Sequence, residues 1–174
     1  MRVAQTITLL LGSLLALAML AACAATPPPG DGEAAAPAPL FYVMRHLEKA
    51  EGDDPGLSEQ GRAGAERLAG WFGNRPPAAI YVSTTRRARE TAAPLAERFS
   101  LPPKDYDPRA DPAELIARVR AETGPVLIVG HSNTVPEIVA RLGGTRPAPL
   151  AETDFGDIWV IAADGSTERR RLEE

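Results

Sequence analysis

The chain contains two histidines, and each follows a short apolar run of strand character. His46 comes after residues 40–45, and His131 comes after residues 126–130. In an open α/β sheet, ligands bind in the crevice beyond the carboxyl ends of the parallel strands. Because a neutral imidazole is a competent nucleophile near neutral pH, two imidazoles at this edge could carry out group transfer.

Two arginines accompany these histidines. Arg45 directly precedes His46, and Arg87 belongs to a polar turn, residues 83–92, that follows a second apolar run at 79–82. Guanidinium groups can hold a tetrahedral dianion in a forked geometry that lysine does not reproduce. The two imidazoles and two guanidiniums therefore indicate a small pocket suited to a phosphate group.

The rest of the domain alternates strands with helices. The patterns predict strands over 40–46, 79–82, 104–107 and 126–129, and helices that start after Ser58, within the polar turn 83–92, near 112 and near 134. This alternation is typical of a three-layer α/β sandwich, with a mostly parallel central sheet and helices on both faces. Residues 157–172 predict a C-terminal hairpin that turns at Asp164-Gly165 and forms an antiparallel edge.

The first residues have the pattern of an export signal. A positive charge at Arg2 is followed by an apolar stretch too short for a membrane span, which predicts a signal peptide over residues 1–22. Cys23, the single cysteine, ends a run that resembles the lipobox of bacterial lipoproteins. Ala24 after it is similar to the pattern of outer-membrane lipoproteins. We expect an exported envelope protein, lipidated on Cys23 and facing the periplasm.

The segment 23–39 consists mainly of Ala, Pro and Gly and contains no large apolar side chain, so we expect an extended tether. Residues 40–174 suit one compact domain, which could be monomeric. The net charge is −4, and no basic stripe appears, which argues against nucleic-acid binding. No Cys/His or carboxylate cluster has the spacing of metal ligands, so we expect neither a metal nor another cofactor.

Several motifs together resemble those of the histidine phosphatase superfamily, which has the phosphoglycerate mutase-like fold. Residues 45–49, Arg-His-Leu-Glu-Lys, resemble its Arg-His-Gly signature with another residue at the glycine position. Residues 57–61 resemble its Leu-Thr/Ser-x-x-Gly helix start. Residues 83–92 resemble its Ser-Pro-x-x-Arg-Ala-x-x-Thr-Ala element, with Thr84 in place of proline, and Gly-His at 130–131 resembles the second histidine motif.

This resemblance implies residue roles. His46 would take the phosphoryl group and form a phosphohistidine, which water then hydrolyses. Arg45, Arg87 and His131 would bind the transferring group and stabilise its charge. These roles agree with the needs of phosphoryl transfer, which depends mainly on positioning and charge neutralisation.

A general acid is harder to place in the sequence. Members of the superfamily usually provide a Glu or Asp that protonates the leaving oxygen. Asp107, Asp111 and Glu114 are candidates, although each also fits an ordinary turn, helix-cap or solvated position. We choose Asp107 because it would lie at the carboxyl end of a strand.

Residues next to the two histidines are candidates for substrate binding: Glu48, Lys49, Ser132 and Asn133. Glu48 and Lys49 could line the substrate mouth or could form a surface ion pair. The substrate would be a phosphorylated small molecule or envelope component. The sequence leaves its identity open.

The leading hypothesis is a metal-independent phosphomonoester hydrolase of the histidine acid type, anchored at the cell envelope. A first alternative is a lipoprotein that binds phosphorylated ligands without turnover. A second is phosphoryl transfer of the phosphoglycerate mutase kind, which the expected export and the short loops disfavour. A structural envelope protein with a degenerate site is disfavoured by the complete set of two histidines and two arginines.

Overall fold

The structure, a computed structural model, describes residues 40–172. The predicted signal segment 1–22, Cys23 with the tether 23–39, and residues 173–174 lie outside the described residues. Within the described residues, no helix is both long enough and apolar enough to cross a membrane.

Six strands form one mixed sheet. The strands are β1 (Phe41–Arg45), β2 (Ala79–Ser83), β3 (Lys104–Tyr106), β4 (Val126–Gly130), β5 (Asp157–Ile161) and β6 (Thr167–Arg171). Their order across the sheet is β3-β2-β4-β1-β5-β6, in which β1 to β4 run parallel and β5 and β6 are antiparallel. The predicted parallel sheet with an antiparallel C-terminal edge is confirmed.

Four helices cover the two faces of the sheet: α1 (Glu59–Trp71), α2 (Arg86–Phe99), α3 (Pro112–Arg120) and α4 (Val135–Arg141). Neighbouring residues of β1 point to opposite faces, as the period of a strand requires. Met44 packs with α1 and α2 in one core, whereas Val43 packs with α3 and α4 in the other. The three-layer sandwich predicted from the sequence is confirmed.

Short-range signals account for several element boundaries. Ser58 caps α1, since its Oγ accepts a hydrogen bond from Gly61 N at 3.1 Å. Helix α2 continues through Pro94 and ends at Ser100, whose φ of 51° is left-handed. The hairpin between β5 and β6 turns at Gly165, with φ of 83°. The sequence patterns therefore predict the positions of these helix ends and of the turn.

The pairing of β1 with β4 positions the histidines. Arg45 lies opposite Gly130 in this parallel pair, and His46 N donates to Gly130 O at 2.9 Å. The next residue of each strand is a histidine, so the two imidazoles lie side by side. A side chain at position 130 would come within 2.8 Å of Thr134 Oγ1, which explains the glycine before His131.

Candidate active site

His46 presents one ring nitrogen that no protein group occupies among the described residues. Its Nδ1 lies 2.8 Å from the carbonyl oxygen of Leu47. Because a carbonyl oxygen only accepts, Nδ1 carries the proton and donates it, which leaves the lone pair on Nε2. Burial lowers the pKa of His46 to about 3, although the Leu47 bond opposes this, and the neighbouring positive groups lower it further. The ring is therefore neutral near pH 7.

His131 lies beside it, with the two ring centroids 5.2 Å apart. Arg87 Nη2 lies 3.3 Å from His131 Nδ1, and a guanidinium only donates, so Nδ1 is an acceptor. The proton therefore lies on Nε2, which donates to Ser83 Oγ at 2.8 Å. Burial lowers the pKa of His131 to about 4, Arg87 and Arg45 lower it further, and the charge of Asp54 opposes them.

Arg87 is contributed by the first turn of α2 and reaches toward the ends of the central strands. Besides its contact with His131, its Nη1 lies 3.6 Å from Asp54 Oδ1. Its Nε is buried and has no hydrogen-bond partner among the described residues. Arg87 therefore keeps a buried N–H available close to the two imidazoles.

Arg45 is 3% exposed and is held by the loop that precedes β5. Its Nη1 donates to Ala151 O at 2.7 Å and to Asp154 O at 3.3 Å, and its Nη2 lies 3.3 Å from Glu152 Oε2. The guanidinium also stacks on Phe155, 4.2 Å from the ring centroid. Its Nε has no partner among residues 40–172. The loop fixes the orientation of Arg45 and occupies part of its donor set.

Thr91 connects the two halves of the site. This fully buried side chain accepts from Leu47 N at 3.0 Å and donates to Arg87 O at 2.8 Å. One hydroxyl thus joins the backbone that follows His46 to the backbone of Arg87. The contact gives a physical reason for the threonine in the motif at 83–92.

Comparisons with known proteins show what the sequence and the fold are similar to. The sequence profile described as histidine phosphatase superfamily (branch 1) matches residues 42–111, a span that holds His46 and Arg87. Over this span the chain is similar to the histidine phosphatase superfamily. No curated protein sequence matches the chain at a significant level.

Solved structures of two phosphatases share the fold. The protein histidine phosphatase SixA is 20% identical, with 75% of this chain and 94% of that chain covered and a TM-score of 0.58. A mycobacterial glucosyl-3-phosphoglycerate phosphatase is 19% identical, with 76% and 96% covered and a TM-score of 0.55. At such identities the likeness shows the fold alone.

The three carboxylates considered as general acids lie around a cavity next to β3 and make no ion pair or hydrogen bond with the two histidines or with Arg87 among residues 40–172. Asp107 follows β3 and accepts from Arg109 N at 2.9 Å, while Asp111 caps α3 through Ala113 N. Together with Glu114 they line a cavity between β3, α3 and α4. The role chosen for Asp107 stays a prediction.

The four predicted substrate-binding residues fall into two groups. Glu48 turns toward the start of α1, where its Oε1 accepts from Gln60 Nε2 at 3.2 Å. Lys49 is exposed and pairs through its backbone with Leu57, and no ion pair joins it to Glu48 in the described part of the chain. Ser132 and Asn133 form the turn that follows His131. Their contribution to substrate binding stays a prediction.

The contacts of three residues at the site, Ser83, Thr91 and Phe155, were not predicted from the sequence. Ser83 and Thr91 belong to the recognised motif at 83–92, but the motif alone does not say which group each hydroxyl binds. Phe155 lies in a loop without any motif, and its ring is 6.0 Å from that of His46. Only the packing of β1 against that loop reveals it.

Proposed function

We propose that this protein is a metal-independent phosphomonoester hydrolase of the histidine phosphatase superfamily that works through a phosphohistidine on His46. The observation that carries the proposal is the hydrogen bond from His46 Nδ1 to Leu47 O, because it leaves the Nε2 lone pair unprotonated. A buried neutral imidazole with a fixed tautomer is ready to attack a phosphorus atom. His131 and two guanidiniums lie next to it.

In the first step, His46 Nε2 attacks the phosphorus of the bound ester. The P–N bond forms while the bond between phosphorus and the leaving oxygen breaks. In the second step, a water oxygen attacks the same phosphorus, the P–N bond breaks, and inorganic phosphate leaves. The hydrogen bond to Leu47 O supports the positive charge that develops on the ring, since it is donated more strongly by a cationic imidazole.

The surrounding cations would hold the transferring group. The Nε–H groups of Arg45 and Arg87 lack protein partners within residues 40–172, and a phosphoryl oxygen could accept from them once the side chains adjust. Charge-assisted bonds of this kind act on the oxygens where transition-state charge develops. The structural neighbours have been solved with tungstate, inorganic phosphate and VO3, all oxyanions.

The test is hydrolysis of p-nitrophenyl phosphate in EDTA by the wild type and by His46→Ala. We expect metal-independent turnover that the substitution abolishes, with an unchanged circular dichroism spectrum. Equal rates for the two proteins would contradict the proposal. Binding of vanadate without any turnover would support the non-catalytic lipoprotein instead.

We also propose that a lipid anchor on Cys23 holds the domain at the bacterial envelope, on the periplasmic side of the outer membrane. The signal-like residues 1–22, the lipobox-like run and the tether support this proposal. Triton X-114 partitioning of the full chain expressed in a bacterium tests the anchor. The wild type should enter the detergent phase and Cys23→Ala should not; a wild type found in the aqueous phase would contradict the anchor.

A further inference from the structure

Asp54 lies in a closed loop, residues 49–57, that positions it next to Arg87. The loop is held by the backbone bridge between Lys49 and Leu57 and by a hydrogen bond from Ala50 N to Gly56 O at 2.9 Å. Asp54 lies near its tip with a left-handed φ of 43°. Its Oδ1 accepts from Arg86 N at 3.1 Å, so the carboxylate is fixed at the start of α2.

From this position the carboxylate reaches the guanidinium that serves the site. Arg87 lies between two groups: its Nη1 is 3.6 Å from Asp54 Oδ1, and its Nη2 is 3.3 Å from His131 Nδ1. The Asp54 side chain is 61% exposed, whereas both imidazoles are buried. The carboxylate therefore lies on the solvent side of Arg87, whereas the two imidazoles lie inside the protein.

We infer that Asp54 is the proton-transfer residue of the proposed phosphatase. This inference rests on the proposed function. The Asp54 carboxylate lies 3.6 Å from Arg87 Nη1, beside a group that would hold the phosphate, and its oxygens can accept a proton from an attacking water. Asp107, by contrast, follows the edge strand β3, and within residues 40–172 no ion pair or hydrogen bond joins its carboxylate to Arg87 or to the two histidines.

The proton moves in a closed cycle. When water attacks the phosphohistidine, its oxygen bonds to phosphorus, the P–N bond breaks, and one water proton passes to an Asp54 oxygen. His46 recovers its Nε2 lone pair, and phosphate leaves. In the next turnover the protonated Asp54 gives this proton to the leaving oxygen as the P–O bond breaks. The sum is one ester and one water converted to an alcohol and phosphate.

The structure offers a clean substitution and a matched control. Asn tolerates a left-handed φ as Asp does, so Asp54→Asn keeps the loop while removing the proton-accepting carboxylate. Asp53→Asn makes the same charge change one residue away, on an exposed side chain outside the proposed machinery. Asp107→Asn tests the competing acid. All three are made in the full chain, purified in detergent.

Two phosphate esters separate the steps. Nitrophenolate leaves without a proton, so Asp54→Asn should release one equivalent of it in a rapid burst and accumulate phosphorylated His46. Phenyl phosphate needs a proton on its leaving oxygen, so its turnover should fall about 100-fold. Vanadate should bind Asp54→Asn at least as tightly as it binds the wild type, because no phosphate-binding group is lost. Asp53→Asn should behave as the wild type does.

Specific results would overturn the assignment. One is that Asp54→Asn shows neither the nitrophenolate burst nor trapped phosphohistidine. Another is that the burst and the trapped phosphohistidine appear in Asp107→Asn instead. A third is that Asp54→Asn binds vanadate more weakly than the wild type, which would make Asp54 a positioning residue for Arg87. The proposed function fails separately, if His46→Ala hydrolyses p-nitrophenyl phosphate as fast as the wild type does. His46-dependent turnover without an Asp54 effect would overturn only the role of Asp54.

Discussion

Lowering the pH from 7 to 5 should destabilise this domain through its two histidines. In the folded protein the pKa of His46 is lowered to about 3 and that of His131 to about 4. In the unfolded chain both have a pKa of about 6.5. Between these values the unfolded chain binds protons that the native protein does not, so stability falls as the pH decreases through this window.

The size of the effect follows from proton linkage. At pH 5 an unfolded imidazole is almost fully protonated while both native rings remain mostly neutral. From pH 7 to 5 each histidine should therefore remove about 2 kcal/mol from the free energy of unfolding, and the pair about 4 kcal/mol. Carboxylates contribute mainly below pH 5, because their unfolded pKa values lie near 4.

Urea unfolding at pH 7, 6 and 5, in buffers without phosphate, measures this loss. His46→Asn is the matched variant, since its side-chain amide can still donate to Leu47 O but does not titrate. Its pH-dependent loss should be about half that of the wild type. A wild-type stability that is flat from pH 7 to 5, or an equal loss in both proteins, would refute the assignment of buried neutral histidines.

Two further pairs of substitutions test the packing around the site, each pair made of a test variant and its control. Thr91→Val leaves the buried Leu47 N without its acceptor and should lower the free energy of unfolding in urea by about 1–3 kcal/mol. Thr91→Ser keeps the hydroxyl and should retain most of the wild-type stability. Equal stability of the two variants would contradict this role of the hydroxyl. Gly61→Ala places a methyl group against the Glu48 carbonyl oxygen and should cost about 1–3 kcal/mol. In the same helix, the methyl group of Gly70→Ala would have no atom within 4 Å, so this variant should raise the free energy of unfolding by about 0.5–1 kcal/mol. A similar loss of stability in Gly61→Ala and Gly70→Ala would contradict the close contact at Gly61.

Much of the fold follows from local patterns in the sequence. The apolar runs that become β1 and β4 are too short and too continuous to be surface helices, and Ser58 marks the start of α1 by its capping chemistry. Because parallel strands end at the same sheet edge, the positions of His46 and His131 at strand ends were enough to predict that the two rings meet.

The orientation of the side chains was beyond such patterns. The tautomer of His131 depends on contacts with Ser83 and Arg87, which come from other elements. The stacking of Phe155 on Arg45 depends on how a loop without regular structure folds back over β1. In the sequence, Asp54 is one of several acidic residues in a polar loop, and only its ion pair with Arg87 in the structure distinguishes it from the others. Such long-range contacts have no periodic signal in the sequence.

Identifying the residue that carries the phosphoryl group during turnover tests the phosphohistidine mechanism most directly. The protein would be mixed with p-nitrophenyl phosphate, quenched in alkali to preserve phosphohistidine, and mapped by tandem mass spectrometry. We predict phosphate on His46, absent in His46→Ala and still detectable when His131 is replaced by alanine. Phosphate found on another residue, or turnover in which His46 is never phosphorylated, would contradict this mechanism.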